Sequence, residues 1–297
     1  MTIWARTMVV GTDGSPSAVE AVRWAATMAS ERNLDLLIAH GLEFVIRFHD
    51  LDIAGMDDVG TLAQHLAESI VSEAREVALS VDSSLTVTME IVPESAAALL
   101  VGLSRTARMV VLGGSGMGAV GGILVGSAVA TVVSQAHCPV AVVRGRDETV
   151  PSEGPVVVGV DGSLNSEQAV GVAFEEASFR GAELVAVHAW SDITDEYMYG
   201  MARLMPKWES IEPDQQRLLA QRLAGWQEEH PDVEVRRRLV RNNPRDALLE
   251  ESEHAQLVVV GSRGRGGFKG LLLGSTSQFL VRRAQCPVLV IRPEAAT

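Results

Sequence analysis

The sequence predicts an α/β protein built from two tandem doubly wound domains, each a five-stranded parallel sheet with helices on both faces. Three observations predict this. Short apolar runs alternate with segments of helical period along the chain, as expected of strands buried on both faces and joined by helical crossovers. The whole pattern occurs twice at one offset. The 297 residues, 47% hydrophobic and 21% charged, suit two globular units with cores, not a disordered chain.

The repeat is the firmest of the three. Val9-Val10-Gly11-Thr12-Asp13-Gly14-Ser15 matches Val157-Val158-Gly159-Val160-Asp161-Gly162-Ser163 at an offset of 148. The same offset relates His40 to His188, Gly113 to Gly261, Gly116 to Gly264, Gly126-Ser127 to Gly274-Ser275 and Cys138-Pro139 to Cys286-Pro287. One offset held across so many scattered anchors is the mark of a duplicated domain. The expected domains are residues 1–146 and 155–297. A polar linker, 147–154, joins them.

Within the first copy, Met8 to Gly11 is an apolar run that suits a buried strand. Ser15-Pro16 starts a helix, with a hydroxyl to cap and proline at the first helical position. Ala18, Val22, Ala25 and Ala29 form its apolar face. Leu36 to His40 is the second strand, and Ala63, Ala67, Ile70, Ala74 and Val77 mark a second amphipathic helix. Leu85 to Val92 is a strand, Glu94 to Thr106 a helix, Met109 to Leu112 a strand, Gly126 to Ala136 a helix and Val140 to Val143 the fifth strand. The second copy repeats the strands near Val156–Val160, Leu184–His188, Val233–Val240, Leu257–Val260 and Val288–Ile291. Right-handed crossovers then favour double winding.

Several function classes are disfavoured. A formal charge of −13 opposes coating of nucleic acid or anionic membrane. Two cysteines exclude a disulfide scaffold or multi-cysteine zinc module. Cys138 and Cys286 read as small buried residues, and the seven histidines show no metal-ligand spacing. The uncharged stretch from Met109 to Val143 is long enough to span a bilayer, but glycines crowd it and its repeat carries Arg263, Arg265 and Lys269. Met1 to Arg6 lacks the features of a signal peptide, and a cytoplasmic location is expected.

In such a sheet a ligand binds beyond the carboxyl ends of the strands, where the winding reverses. The small and polar residues lie there. After strand four the first copy reads Gly113-Gly114-Ser115-Gly116-Met117-Gly118, with nine residues between Gly116 and Gly126-Ser127. The second reads Gly261-Ser262-Arg263-Gly264-Arg265-Gly266, again with nine residues between Gly264 and Gly274-Ser275. This pattern, G-x2-G-x9-G-S, provides backbone N–H groups without intervening side chains and a helix start, both of which hold phosphate. A single such pattern would fit tight turns alone; two with identical spacing point to phosphate. Neither copy has the G-x4-G-K-[ST] loop of a P-loop NTPase.

These motifs, with the Val-Gly-x-Asp-Gly-Ser segments and the tandem copies, resemble universal stress proteins, and the resemblance covers essentially the full chain. It is similar to the two-domain actinobacterial type, as Trp190-Ser191-Asp192 and Leu223-Ala224-Gly225-Trp226-Gln227 suggest. The resemblance implies strand order 3-2-1-4-5 and ATP at the tips of strands one and four. Asp13 and Asp161 would then lie near ribose, phosphates or a metal, and Gly11 and Gly159 would let the nucleotide approach strand one. Gly113, Gly116, Gly126 and Ser127 match the phosphate loop, as do Gly261, Gly264, Gly274 and Ser275, with the amides of Met117, Gly118, Arg265 and Gly266 facing the ligand. Mg²⁺ would arrive on the nucleotide. His40 and His188 end strand two, near the adenine. Many members carry basic residues where copy one has Ser115 and Met117; copy two keeps Arg263 and Arg265, so its site is expected to bind more tightly.

The segments 42–60 and 191–213 after strand two fit either a lid over the ligand or a variable surface connection. Strand five would be a sheet edge, and family members pair such edges to dimerise, so the copies are expected to pair within the chain and two chains to associate further. The leading function is an ATP-binding stress-response regulator, acting by ligand-linked conformational change on a protein partner. A slow ATPase with Asp13 or Asp161 as base, and a nucleotide-free interaction module, are the competing readings.

Overall fold

The computed structural model describes residues 6–42, 56–114, 126–144, 150–190, 208–241, 243–264 and 273–292. The first copy runs β1 (Thr7–Gly11), α1 (Pro16–Glu31), β2 (Asp35–Gly41), α2 (Met56–Val81), β3 (Val87–Val92), α3 (Ala96–Leu103), β4 (Met109–Gly113), α4 (Ser127–Gln135) and β5 (Val140–Val143). The second runs β6 (Val156–Gly159), α5 (Leu164–Arg180), β7 (Leu184–Trp190), α6 (Trp208–Glu229), β8 (Val235–Arg241), α7 (Pro244–Ser252), β9 (Leu257–Gly261), α8 (Ser275–Arg283) and β10 (Val288–Ile291). Among the described residues no helix is long and apolar enough to cross a membrane.

Element ends differ from the sequence expectation where a local polar bond competes. α3 starts at Ala96, not Glu94, because the Ser95 hydroxyl accepts from Ala98 N at 3.2 Å and caps the helix there. β3 starts at Val87, not Leu85, because Leu85 N donates to Asp82 O in a turn. β8 starts at Val235, because Val233 N is spent on His230 O. The helices after β2 and β7 begin at Met56 and Trp208, inside the segments read as connections.

The ten strands among the described residues form one sheet in the order β3-β2-β1-β4-β5-β10-β9-β6-β7-β8. Each half therefore has the order 3-2-1-4-5, with β1 parallel to both β2 and β4, and β6 to both β7 and β9. The halves join edge to edge. β10 runs antiparallel to β5, with Val288 opposite Val142 and Val290 opposite Val140. This pairing satisfies the strand-five edge of each copy within the chain. It also sets the starts of β5 and β10 at opposite ends of the seam. Cys138 and Cys286 there are free and buried, and burial pushes both thiols up to about 12.

Alternation along the strands feeds two apolar layers. Met8, Val10, Leu36, Ile38, Val158 and Ala186 pack under α1, α2, α5 and α6; Val9, Val110, Val142, Val157, Val258 and Val290 pack under α3, α4, α7 and α8. Each layer runs unbroken through both copies, so the halves share their cores across the seam.

A buried charge cluster sits where α1 meets α5. Arg32 Nη2 donates to Glu176 Oε2 at 2.8 Å, and Arg180 Nε donates to the same oxygen at 3.1 Å. Arg180 also reaches Gln256 Oε1 at 3.0 Å and Met28 Sδ at 3.1 Å. The Arg32 guanidinium lies 4.0 Å over the Phe179 ring. Burial holds Arg32 below its ordinary pKa, and the adjacent Glu176 opposes that shift. Arg32 and Arg180 are equivalent at the 148 offset, as are Met28 and Glu176. The two arginines of this pseudo-symmetric contact thus share one acid.

The second helix of each half is tied to the first by a matching bond. Ser30 Oγ donates to Asp82 Oδ2 at 2.5 Å, and Ser178 Oγ donates to Asp232 Oδ2 at 2.6 Å. These bonds lower the pKa of both carboxyls. A depressed carboxyl stabilises the fold above its unfolded pKa of about 3.9, and loses that contribution as pH falls through its folded value. Denaturant midpoints are therefore expected to drop below about pH 4, and less steeply in Asp82→Asn/Asp232→Asn. An identical pH profile in that variant would contradict the assignment.

Candidate functional site

The site in the second half is the more fully described. β6 ends at Gly159, and the chain turns through Asp161-Gly162-Ser163 into α5. Gly162 has φ 75°, a left-handed backbone that glycine adopts without strain. Asp161 Oδ1 accepts from Ser163 N at 2.9 Å and Ser163 Oγ at 2.7 Å, closing the turn. Ser163 Oγ in turn caps α5, accepting from Ser166 N at 3.3 Å. The Arg222 guanidinium of α6 lies against Gly162 and pairs with Glu167 at 3.3 Å.

β9 delivers the glycine loop to the same place. Ser262 N donates to Ile291 O at 2.7 Å, and Ser262 O accepts from Gly274 N at 2.7 Å. Ser277 Oγ of α8 donates to Gly261 O at 2.7 Å, and Asn165 Nδ2 to Arg263 O at 3.2 Å. A Cβ at Gly274 would lie 3.3 Å from Arg263 Cα and 3.6 Å from Gly264 N. A Cβ at Gly264 would overlap Asp161 Oδ2. The aspartate turn, the first glycines of the loop and the start of α8 at Gly274-Ser275 therefore converge. Arg265 and Gly266 lie outside the described residues.

The first half repeats what can be compared. Gly14 has φ 79°, Asp13 Oδ1 accepts from Ser15 N at 3.0 Å, and Ser15 Oγ caps α1 by accepting from Ala18 N at 3.3 Å. Gly126 precedes Ser127 at the start of α4. Gly116, Met117 and Gly118 lie outside the described residues, as does Ser115.

The glycines differ in what they face. A Cβ at Gly11 would lie 2.7 Å from Leu100 and 2.8 Å from Leu112, and one at Gly159 would lie 3.1 Å from Leu248. Packing of α3 and α7 onto the strands accounts for both. A Cβ at Gly113 would lie 2.5 Å from the Ser17 carbonyl oxygen, and one at Gly261 would lie 2.9 Å from Asn165, so close strand–helix approach accounts for these two. Gly264 differs: among the described residues a Cβ there would meet the Asp161 carboxylate alone within 4 Å.

The helix starts differ too. Ser15, Ser95, Ser163 and Asn243 each accept a hydrogen bond at the start of α1, α3, α5 and α7. α4 and α8 begin after Gly126 and Gly274 with no side-chain cap and no acidic residue in the first turn. Their N-terminal amides offer donors and a positive dipole end to an anion.

His40 and His188 end β2 and β7 with matching bonds. Nδ1 of each faces a carbonyl, Thr12 O at 2.8 Å and Val160 O at 2.6 Å, so Nδ1 carries the hydrogen. Each histidine thereby pins the turn that holds Asp13 or Asp161. Among the described residues no group of three His, Cys, Asp or Glu side chains converges. Among the described residues each site presents one carboxylate, Asp13 or Asp161, fewer than an all-protein Mg²⁺ cage would use.

Sequence reasoning passed over Arg144 and Arg292, which follow β5 and β10. Arg144 Nη1 lies 3.4 Å from Gly114 O, beside the first glycine loop, and its side chain covers Gly114. Burial holds Arg292 below its ordinary pKa, and the charge of Arg263 adds to that shift. Their equivalence at the 148 offset was the available signal.

The universal stress protein family model matches residues 5–144 and again 154–292. The chain is 44% identical over 292 residues to a universal stress protein of Mycolicibacterium smegmatis, covering 96% of this chain and 97% of that one. It is 41% identical over 300 residues to one of Mycobacterium tuberculosis, covering 96% and 94%. The crystal structure of a universal stress protein from Archaeoglobus fulgidus has a TM-score of 0.71 at 18% identity, covering 98% of this chain and 99% of that one.

Proposed function

Because this chain belongs to the universal stress protein family, we propose that it is a regulatory protein that binds ATP at one site in each half. The observation that carries this reading is the convergence of the Asp161 turn, Gly264 and the uncapped start of α8. In copy one the described counterparts are the Asp13 turn and the uncapped start of α4. The triphosphate would lie on backbone amides of the loop and the helix start. A protein with a net charge of −13 can hold an anion this way because fixed local dipoles dominate at contact range.

The site residues proposed are Asp13, Gly116, Met117, Gly118, Gly126 and Ser127 in the first half. In the second they are Asp161, Gly264, Arg265, Gly266, Gly274 and Ser275. Gly11, Gly113, Gly159 and Gly261 shape the strand ends from the protein side. Any Mg²⁺ would be brought by the nucleotide. ATP would stabilise the conformation that binds it, and the altered surface would be read by a partner or a second chain. With Asp161 Oδ1 engaged by Ser163, hydrolysis is a secondary reading; multiple-turnover phosphate release abolished by Asp161→Asn would support it.

Arg263 and Arg265 give the second site two cations where the first has Ser115 and Met117. Arg263→Ser/Arg265→Met is expected to weaken ATP at that site by roughly tenfold or more, since charge-assisted hydrogen bonds contribute about 1.5–3 kcal/mol each. Calorimetric titration of the double variant checks this, and unchanged affinity would contradict the ranking of the sites.

A further inference from the structure

β8 ends the sheet on one side, as β3 ends it on the other, and among the described residues no strand meets either edge. Leu184 N donates to Glu234 O at 2.8 Å, and Leu184 lies opposite Val235 in a parallel ladder. In such a ladder alternate residues of a strand bond to one neighbour. Arg236, Arg238 and Val240 therefore turn their backbone groups to β7, and Val235, Arg237, Leu239 and Arg241 turn theirs outward.

The side chains divide the same way. Arg236 and Arg238 both pair with Glu251 of α7, and Arg238 also pairs with Glu250. Arg237, Leu239 and Arg241 stand on the opposite face, the face of α6. Leu239 packs against the apolar layer there. Arg237 and Arg241 are exposed and have no acidic partner among the described residues. Between α6 and β8 lies a cleft of about 450 Å³, lined by Glu212, Gln216, Leu219, Arg237, Arg238 and Leu239. The edge therefore presents cation, apolar cleft and cation at every second residue, and the same residues carry the outward backbone donors and acceptors.

Charges on an edge strand also guard against aggregation, but such a guard is needed at both edges. β3 carries no cation. Met89, 46% exposed, pairs with Ile38 in the ladder as Arg237 pairs with Ala186, one repeat offset away. On a chain of net charge −13, β8 has four arginines and no acid. The contrast between equivalent edges calls for something that only β8 meets.

We propose that the outer edge of β8 is a docking strand for an acidic, extended segment of a partner protein, with two acids four residues apart and an apolar residue midway. The segment adds to the sheet through the outward backbone groups. Its acids face Arg237 and Arg241, and its apolar side chain enters the cleft beside Leu219 and Leu239. Glu212 in the cleft repels an acid at the midway position. The pattern reads alike in both directions, so it fits a parallel or an antiparallel strand. The proposal is independent of the nucleotide reading.

Fluorescence anisotropy with the full chain tests this. The probe is a labelled threonine–valine peptide with two glutamates four apart and a leucine midway. Saturable binding with a Kd below about 1 mM is expected. Arg237→Met/Arg241→Gln, both at exposed positions, should weaken it at least about fivefold, and a thermal melt confirms folding. Arg237→Glu/Arg241→Glu should instead take the lysine version of the peptide. N-methylation of the peptide amides that face β8 should abolish binding. No saturation, a smaller loss in the double variant, failure of the charge swap or binding that survives N-methylation overturns the proposal. Sedimentation of the chain alone covers the other roles of the edge. Self-association of the wild type that the double variant abolishes would assign the edge to a second copy. Self-association gained by the double variant, with peptide binding unchanged, would make the arginines guards only. Either result overturns the acidic partner.

Discussion

Glu176→Met is expected to destabilise the chain by about 3–5 kcal/mol, the usual cost of removing one partner from a buried ion pair. Glu176 is 3% exposed, and the side chains of Arg32 and Arg180 are 13% and 12% exposed. The substitution makes position 176 match its equivalent, Met28. It leaves two guanidinium groups at the α1–α5 contact without the acid they share, in a setting where desolvation already lowers the pKa of Arg32. Urea unfolding checks this, with the loss read from the midpoint at constant slope. A loss below about 1 kcal/mol, typical of an exposed pair, would contradict it. Replacing Arg32, Glu176 and Arg180 together by methionine should recover most of the loss, because no buried charge is then stranded. The asymmetry also favours pairing of unlike halves: two copies of the first half would bring together two Arg32 and no acid.

Gly264→Val is expected to remove the stabilisation that ATP confers through the second site while leaving the fold in place. A saturating ligand at 100 times its Kd adds about 2.7 kcal/mol for one site, and that increment should vanish. The reason is local. Among the described residues, a Cβ at Gly264 would meet Oδ2 and Cγ of Asp161 alone within 4 Å, so the new side chain displaces the aspartate and occupies the cradle. Gly113→Val gives the contrast. Its Cβ would meet the Ser17 carbonyl at 2.5 Å, backbone that cannot move aside cheaply, so that variant should lose stability with or without nucleotide. Thermal melts with and without ATP separate the two. An undiminished ATP shift in Gly264→Val would show that the cradle is misplaced.

The strands were legible because each is a short apolar run at a fixed offset from its twin, and the seam was legible because β5 and its twin β10 are apolar strands in need of a partner. Ends such as Ser95 and Asp82 were less so, because one hydroxyl or carboxylate moves an end by a turn's fraction. The glycine spacing located the loops, but not what each glycine faces. Leu100 and Leu112 against Gly11, or Ser17 against Gly113, are contacts between segments far apart in sequence. For the same reason the shared acid at Glu176 was invisible. A charge read along one chain does not reveal a partner that the seam brings from the other half.

Native mass spectrometry of the full chain, sprayed with increasing ATP, bears most directly on the two nucleotide cradles. Species carrying one and then two ATP are expected, with Gly264→Val stopping at one. A bare chain at saturating ATP, or a Gly264→Val spectrum identical to the wild type, would contradict the assignment.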